Sequence, residues 1–458
     1  MPHPTAVLCA VGLTPSLIGE HCPRIAAFAR TGALQRLQPV LPAVTCSVQS
    51  SMLTGTTPRQ HGIVGNGWYN RELAEVQFWK QSNHLVRGEK VWEAARRRDP
   101  SVTCANVFWW YNMYSSVDVS VTPRPIYKAD GRKLPDVYTH PPRLRESLQE
   151  RLGTFPLFQF WGPGSSIRST QWIADAAMAV HEESHPTLML VYLPHLDYAL
   201  QQKGPLHPDI AAEVRALDAV AGKLLDFFAS RGVGVILLSE YGIEEVDDAV
   251  YVNRALREAG WLRVRVEDGL ELLDPGASDV FAVADHQVAH VYVRRAADVE
   301  KVAALCRGVD GVDRVLDRAG QAAYGLDHER SGELVLVAAA RRWFSYYYWL
   351  DDARAPDFAR TVDIHRKPGY DPVELFLDPR FKLPKASIGW RLLKRRLGMR
   401  TLMDVIPLNA QVVRGSHGRT QQSAGDQPVL ITAGGSGDSE VLPCTAVRDV
   451  ILDHLFRA

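Results

Sequence analysis

The chain has 458 residues, with 52 lysines and arginines against 52 aspartates and glutamates, so its formal net charge is zero. That balance excludes a general nucleic-acid or anionic-membrane surface, which needs a basic excess, while the length allows a large core and two or three structural units. Six scattered cysteines without a CxxC pair fit reduced, buried thiols. The opening MPHPTAVLCAVGL lacks a basic n-region and an adequate apolar run. No stretch approaches the ~18 apolar residues of a membrane span. A soluble, cytoplasmic protein with neither nucleic acid nor membrane as partner is the expectation.

In chain order, a branched-aliphatic strand is predicted at Ala6–Val11 and a helix at Ile25–Leu37. A second helix is predicted at Lys90–Arg98, and a first insertion at Asn112–Pro163, where PRPIYKADGRKLPD reads as an ordered loop. Then come a helix at Trp172–Glu183 and a strand at Leu188–Leu193. Ile210, Val214, Leu217, Ala221, Leu224 and Phe228 recur at helical spacing, with Gly232 as the stop before a strand at Val233–Leu238. From Leu270 to Met403 the rhythm breaks into probable strands (His290–Arg294, Glu333–Ala338) and an aromatic run, WFSYYYWLDD, read as local core. A strand at Val429–Thr432 and helices at Asp298–Cys306 and Ala446–Phe456 complete the series. Strand, helix and strand in alternation predict an α/β fold, a mostly parallel sheet with helices on both faces. Residues 1–268 and 404–458 form the expected core, and 269–403 an inserted subdomain or cap.

Val44 to Asn66, VTCSVQSSMLTGTTPRQHGIVGN, sets Thr45 after an apolar stretch and before a short helical run, a Thr-Gly turn and an HGIVGN segment. Phosphoryl transfer needs such an assembly: a hydroxyl attacks phosphorus while amide donors hold the equatorial oxygens. Thr45 also reads as a helix N-cap, and a helix N-terminus itself favours an anion. Asp197, in PHLDYALQQKGP, and Glu240, in LLSEYG, each follow an apolar strand, where the chemistry of parallel sheets collects.

This block resembles the nucleophile segment of the nucleotide pyrophosphatase/phosphodiesterase (type I phosphodiesterase) family of the alkaline phosphatase superfamily. Thr45 precedes Gly55 by ten residues, as in the family, and Asn66 matches the asparagine that holds the phosphate. The resemblance implies an alkaline-phosphatase-like core and a metal site built from Asp and His. It places Asp197 and His417 (in RGSHGR) on one metal and Glu240 as a stand-in carboxylate for the other. Three positions depart from it: Val11 stands for an Asp, Gln201 for a His and Tyr241 for a His. Gln201 reads equally as a residue of a helix face. His417 is expected on a tight exposed loop between Gly415 and Gly418. Asp285 and His286, in FAVADHQVAH, offer a replacement carboxylate–imidazole pair, as do Asp363, His365 and Asp371; ordinary polar turns are the other reading of each.

The resemblance implies a metal-dependent hydrolase of phosphodiester or pyrophosphate bonds in a small phosphorylated metabolite or nucleotide, with one divalent ion (zinc, or magnesium or manganese) rather than two. Two alternatives remain open: a pseudoenzyme that binds a phosphorylated metabolite or a partner protein, and a phosphoryl, sulfuryl or phosphonate hydrolase of the same superfamily. The motifs PHLDY, SEYG and GNGWY are similar to those of a bacterial and cyanobacterial branch that includes proteins of the ebo operons of secondary metabolism.

Overall fold

The computed structural model describes residues 2–381, 383–399, 401–420, 423–433 and 441–457. Its centre is a strand of six consecutive buried residues, Thr5–Ala10. Successive side chains of a strand point to opposite faces, so full burial means that both faces are covered. Helix Val447–Leu455 packs against this strand, and helix Ile167–Ser184 packs on the equally buried neighbour Leu188–Leu193. Helix Ile210–Ala229 lies against Ile167–Ser184.

Nine strands form the sheet, in the order Val441–Pro443, Gly32–Gln38, Val429–Ala433, Gly234–Leu238, Thr5–Ala10, Leu188–Leu193, Cys104–Val107, Val119–Pro123 and Val137–His140. The four central strands are mutually parallel, with Thr5 level with Leu188 on one side and Gly234 on the other. Val429–Ala433 runs antiparallel to both of its neighbours. The expected helix over Ile25–Leu37 is corrected here. Only Pro23–Thr31 is helical, and GALQRLQ continues as a sheet strand because its backbone pairs with Val429–Ala433. Within the Asn112–Pro163 stretch, Val119–Pro123 and Val137–His140 extend the sheet edge, and PRPIYKADGRKLPD connects them through a short hairpin, Ile126–Tyr127 with Lys133–Leu134.

A second, antiparallel sheet of four strands holds Val280–Asp285, Val288–Val293, Leu334–Ala338 and Val312–Leu316. Trp343, Phe344, Tyr346, Tyr347, Tyr348 and Trp349 are fully buried in its hydrophobic core, so the aromatic run is packing. All six cysteines are buried and free. Among the described residues no helix is long and apolar enough to cross a membrane.

Candidate active site

Because the central strands are parallel, their carboxyl ends open on one edge, and three segments leave the sheet there side by side. Val11 follows the first strand and bonds to Leu193 O at 3.2 Å. Asp197 lies in the first turn of helix His195–Lys203, just past the Leu188–Leu193 strand. Glu240 follows Gly234–Leu238 by two residues. Thr45 is the first residue of helix Thr45–Thr54, whose left-handed cap at Gly55 has φ 67°. Val44 rather than Thr45 takes the N-cap position, and its apolar side chain makes no capping bond.

Thr45 is 5 % exposed. Its hydroxyl lies 3.0 Å from the Tyr241 hydroxyl, which in turn donates to Asp197 Oδ1 at 3.3 Å. Gln201 Nε2 donates to Asp197 Oδ2 at 3.0 Å, and Tyr370 donates its hydroxyl to Gln201 Oε1 at 2.9 Å. Burial pushes the Asp197 carboxyl up to about 7, against the pull of its two hydrogen bonds. Beside Thr45, Asn66 Oδ1 accepts from the Cys46 backbone N–H at 3.0 Å. Asn66 donates to Asp285 twice, from its backbone N–H at 2.7 Å and from Nδ2 at 3.0 Å.

His417 lies in this site but not on an exposed loop: it is 1 % exposed. Gly415 packs so closely under helix His195–Lys203 that a Cβ there would sit 2.3 Å from Leu200 O. Ser416 pairs with Glu244, and Gln287 N–H donates to His417 O at 2.9 Å. His417 Nδ1 donates to Ala43 O at 2.8 Å, which fixes the tautomer, since a carbonyl only accepts. Burial holds the ring neutral, its pKa down to about 3. Nε2 is left without a hydrogen-bond partner, 3.7 Å from Asp197 Oδ1.

Four rings stack in sequence. Tyr241 lies 3.6 Å from His417 at an interplanar angle of 7°, His417 lies 3.6 Å from His286, and His286 lies 3.7 Å from Tyr370. His286 reaches this place from a two-residue hairpin turn between Asp285 and Val288, with φ 59°. Left-handed backbone is uncommon for a residue with a Cβ and is found at functional sites held by their surroundings. Asp285 thus serves Asn66 and His286 serves the stack. The other three candidates go elsewhere: Asp371 is paired with buried Lys367 at 2.7 Å, the Asp363 N–H donates to Glu374 Oε1 at 2.9 Å, and His365 meets Phe78 O. Glu240 Oε1 accepts from Gln49 Nε2 and from Cys9 Sγ, and burial raises its carboxyl to about 8. Sequence reasoning did not single out Gln49 or Tyr370, and it read Tyr241 only as a lost ligand.

Residues 5–371 match the type I phosphodiesterase / nucleotide pyrophosphatase family. The chain belongs to this family. A phosphonoacetate hydrolase from Sinorhizobium meliloti shares the fold over 99 % of this chain and 96 % of its own, at TM-score 0.63 and 14 % identity. Murine ectonucleotide pyrophosphatase/phosphodiesterase 5 does so over 99 % and 95 %, at TM-score 0.59 and 12 % identity. By sequence, an uncharacterized pyrophosphatase/phosphodiesterase of Schizosaccharomyces pombe is 25 % identical over 46 % of this chain. Human ectonucleotide pyrophosphatase/phosphodiesterase family member 1 is 21 % identical over 50 % of it. These matches span 38 % and 22 % of the two relatives' own lengths.

Phosphodiesterases of this family are generally divalent-metal dependent, and the donors present here do not fit a two-ion centre. Val11 is apolar and fully buried. The Tyr241 hydroxyl stands between Thr45 and Asp197. Asp197 Oδ1 and His417 Nε2 approach each other as two protein donors, whereas a catalytic zinc takes three. Among the described residues no group of three or more His, Cys, Asp or Glu is arranged to hold a metal ion.

Proposed function

We propose that this chain hydrolyses a phosphoryl-type bond (phosphodiester, pyrophosphate or phosphonate) in a small metabolite, with Thr45 as the nucleophile and Asn66 as the holder of the phosphoryl oxygens. One observation carries the reading. Thr45 opens a ten-residue helix while Asn66 is clamped beside it, its Oδ1 on Cys46 N–H and one Nδ2 hydrogen on Asp285. The second Nδ2 hydrogen is then available to an incoming anion, and the helix N-terminus favours the same charge. The family membership supports the reaction class.

A second reading, the same hydrolysis with one divalent ion between Asp197 and His417, is favoured by the unpartnered His417 Nε2 and by its Nδ1 bond to Ala43 O. Metal-binding histidines are oriented by such a bond from the other ring nitrogen. It stands second because it supplies two protein donors.

The test is turnover of bis(nitrophenyl) phosphate and of a nitrophenyl phosphonate by wild type and Thr45→Ala, with and without chelator and added Zn²⁺, Mg²⁺ or Mn²⁺. Thr45-dependent turnover is expected. Zinc taken up in stoichiometric amount, with turnover that follows it, would move the second reading to first place. Absence of turnover on every substrate, with phosphate or phosphonate still bound, would return the chain to a binding protein.

A further inference from the structure

With Asp197 ionised, the hydrogen bonds around Thr45 take one direction. An ionised carboxylate only accepts, so Gln201 Nε2 and the Tyr241 hydroxyl both donate to Asp197. Gln201 keeps its amide this way round, because the turned amide would aim Oε1 at the carboxylate, whereas here Oε1 accepts from the Tyr370 hydroxyl. A phenol has one hydrogen, and Tyr241 spends it on Asp197 Oδ1. Its oxygen therefore faces Thr45 as an acceptor, and the 3.0 Å contact is Thr45 donating to Tyr241. The nucleophile's proton is already aimed along a chain that ends on a carboxylate, and its lone pairs are left for attack.

We propose that Tyr241 and Asp197 activate Thr45 as a two-bond proton relay, in the place where the family's metal chemistry would act. This rests on the reading of Thr45 as nucleophile. As the Thr45 Oγ1–P bond forms, the Oγ1–H bond breaks and its proton passes to the Tyr241 oxygen. The Tyr241 proton passes to Asp197 Oδ1. The bond from phosphorus to the leaving group breaks, and that group departs as an anion with the electron pair. Asp197 ends as a neutral carboxylic acid.

The surroundings suit a relay that does not move. The Tyr241 ring lies flat on His417 at 3.6 Å, and His417 is anchored through Nδ1 to Ala43 O, two residues before Thr45. Asp197 is held from its far side by Gln201. Tyr241, Asp197 and Gln201 are all buried, so bulk water does not compete for the hydrogen bonds.

The test uses the full chain, dialysed against EDTA, and a fluorophosphonate probe whose attack releases fluoride and leaves the phosphonyl group on the nucleophile. Peptide mass spectrometry reads the site, and the fluoride release rate reads activation. Wild type should be modified on Thr45 without metal. Tyr241→Phe keeps the stacked ring and removes only the hydroxyl. It should slow modification of Thr45 by ~10²-fold or more, the usual share of a positioned proton acceptor, with the melting temperature near that of wild type. Should that variant fold poorly, Asp197→Asn provides the same comparison and should slow modification similarly.

Equal rates in wild type and in a folded Tyr241→Phe or Asp197→Asn would overturn the relay alone. So would modification of Thr45 that requires added zinc, magnesium or manganese; a wild-type Thr45 that never reacts would overturn the relay and the nucleophile reading together. Modification at another residue, or unchanged in Thr45→Ala, would instead overturn the nucleophile reading.

Discussion

Asn66 meets Asp285 twice, backbone N–H to Oδ2 at 2.7 Å and Nδ2 to Oδ1 at 3.0 Å, although 219 positions separate them in the chain. The second sheet therefore sets the orientation of a group that belongs to the Thr45 segment. Burial raises Asp285 to about 7, so its role as double acceptor is complete only above that pH. Asn66→Ala should lower kcat by ~10²–10³, the cost of one lost oxyanion donor. Asp285→Ala, which leaves the asparagine in place but unheld, should cost less. Steady-state kinetics on a nitrophenyl ester distinguishes the two; equal losses would show that Asp285 does more than orient.

The rate should rise with pH through about 7. Asp197 accepts a proton only when ionised, and burial places its midpoint there. The neighbouring rings do not contribute a limb in that window, because burial holds His417 near 3 and His286 well below its ordinary value. A pH–rate profile of wild type, Asp197→Asn and Asp285→Asn checks this: the limb should weaken in Asp197→Asn to the smaller part that Asp285 contributes through Asn66.

Tyr370→Phe should be mild. It removes the hydroxyl that fixes Gln201, at a cost of ~1 kcal/mol in stability. It also leaves Gln201 Oε1 without its donor, so the amide holds Asp197 less firmly. A loss of about tenfold in turnover is expected, equivalent to ~1.4 kcal/mol, with the stacked His286 contact retained by the phenyl ring. A loss as large as that of Tyr241→Phe would place Tyr370 in the reaction itself.

Glu240 links the site to pH-dependent stability. Its folded-state pKa, about 8, lies above the ordinary 4.5 because of burial first and the Asp197 charge in addition. A group raised in this way stabilises the fold fully below about 4.5, and that contribution is lost as pH rises through about 8. Glu240→Gln keeps an acceptor for Gln49 and carries no charge to bury. Relative to wild type, its melting temperature should rise between pH 6 and pH 9, by the equivalent of about 1–3 kcal/mol. A flat difference across that range would show that the ionised form is well solvated.

Local pattern found the central strands and the Thr45 block, because full burial imposes continuous apolar runs and because Gly55 and the HGIVGN segment mark turns at fixed offsets. It misjudged Gly32–Gln38, whose strand conformation comes from pairing with residues some 400 positions away. Thr45, Asn66, Asp197, Glu240, Gln201 and His417 do gather at one sheet edge, as the sequence suggested. Their partnerships were not legible. Asp285 is defined by Asn66, and Tyr370 by Gln201 and His286. Each is a contact across more than 80 residues with no local signature. Tyr241 shows the limit most clearly: as a substitution it looks like subtraction, yet its hydroxyl bridges Thr45 and Asp197.

Val11 makes the site resistant to piecemeal conversion. It lies fully buried at the strand end, so an aspartate restored there alone would be an uncompensated buried charge, a loss of roughly 3–5 kcal/mol. Histidine restored alone at position 241 would break the bridge between Thr45 and Asp197. At position 201 it would unhook Asp197 from Tyr370. Each of the three substitutions, made singly, therefore disturbs a buried contact, and a two-ion donor set cannot be installed here one residue at a time.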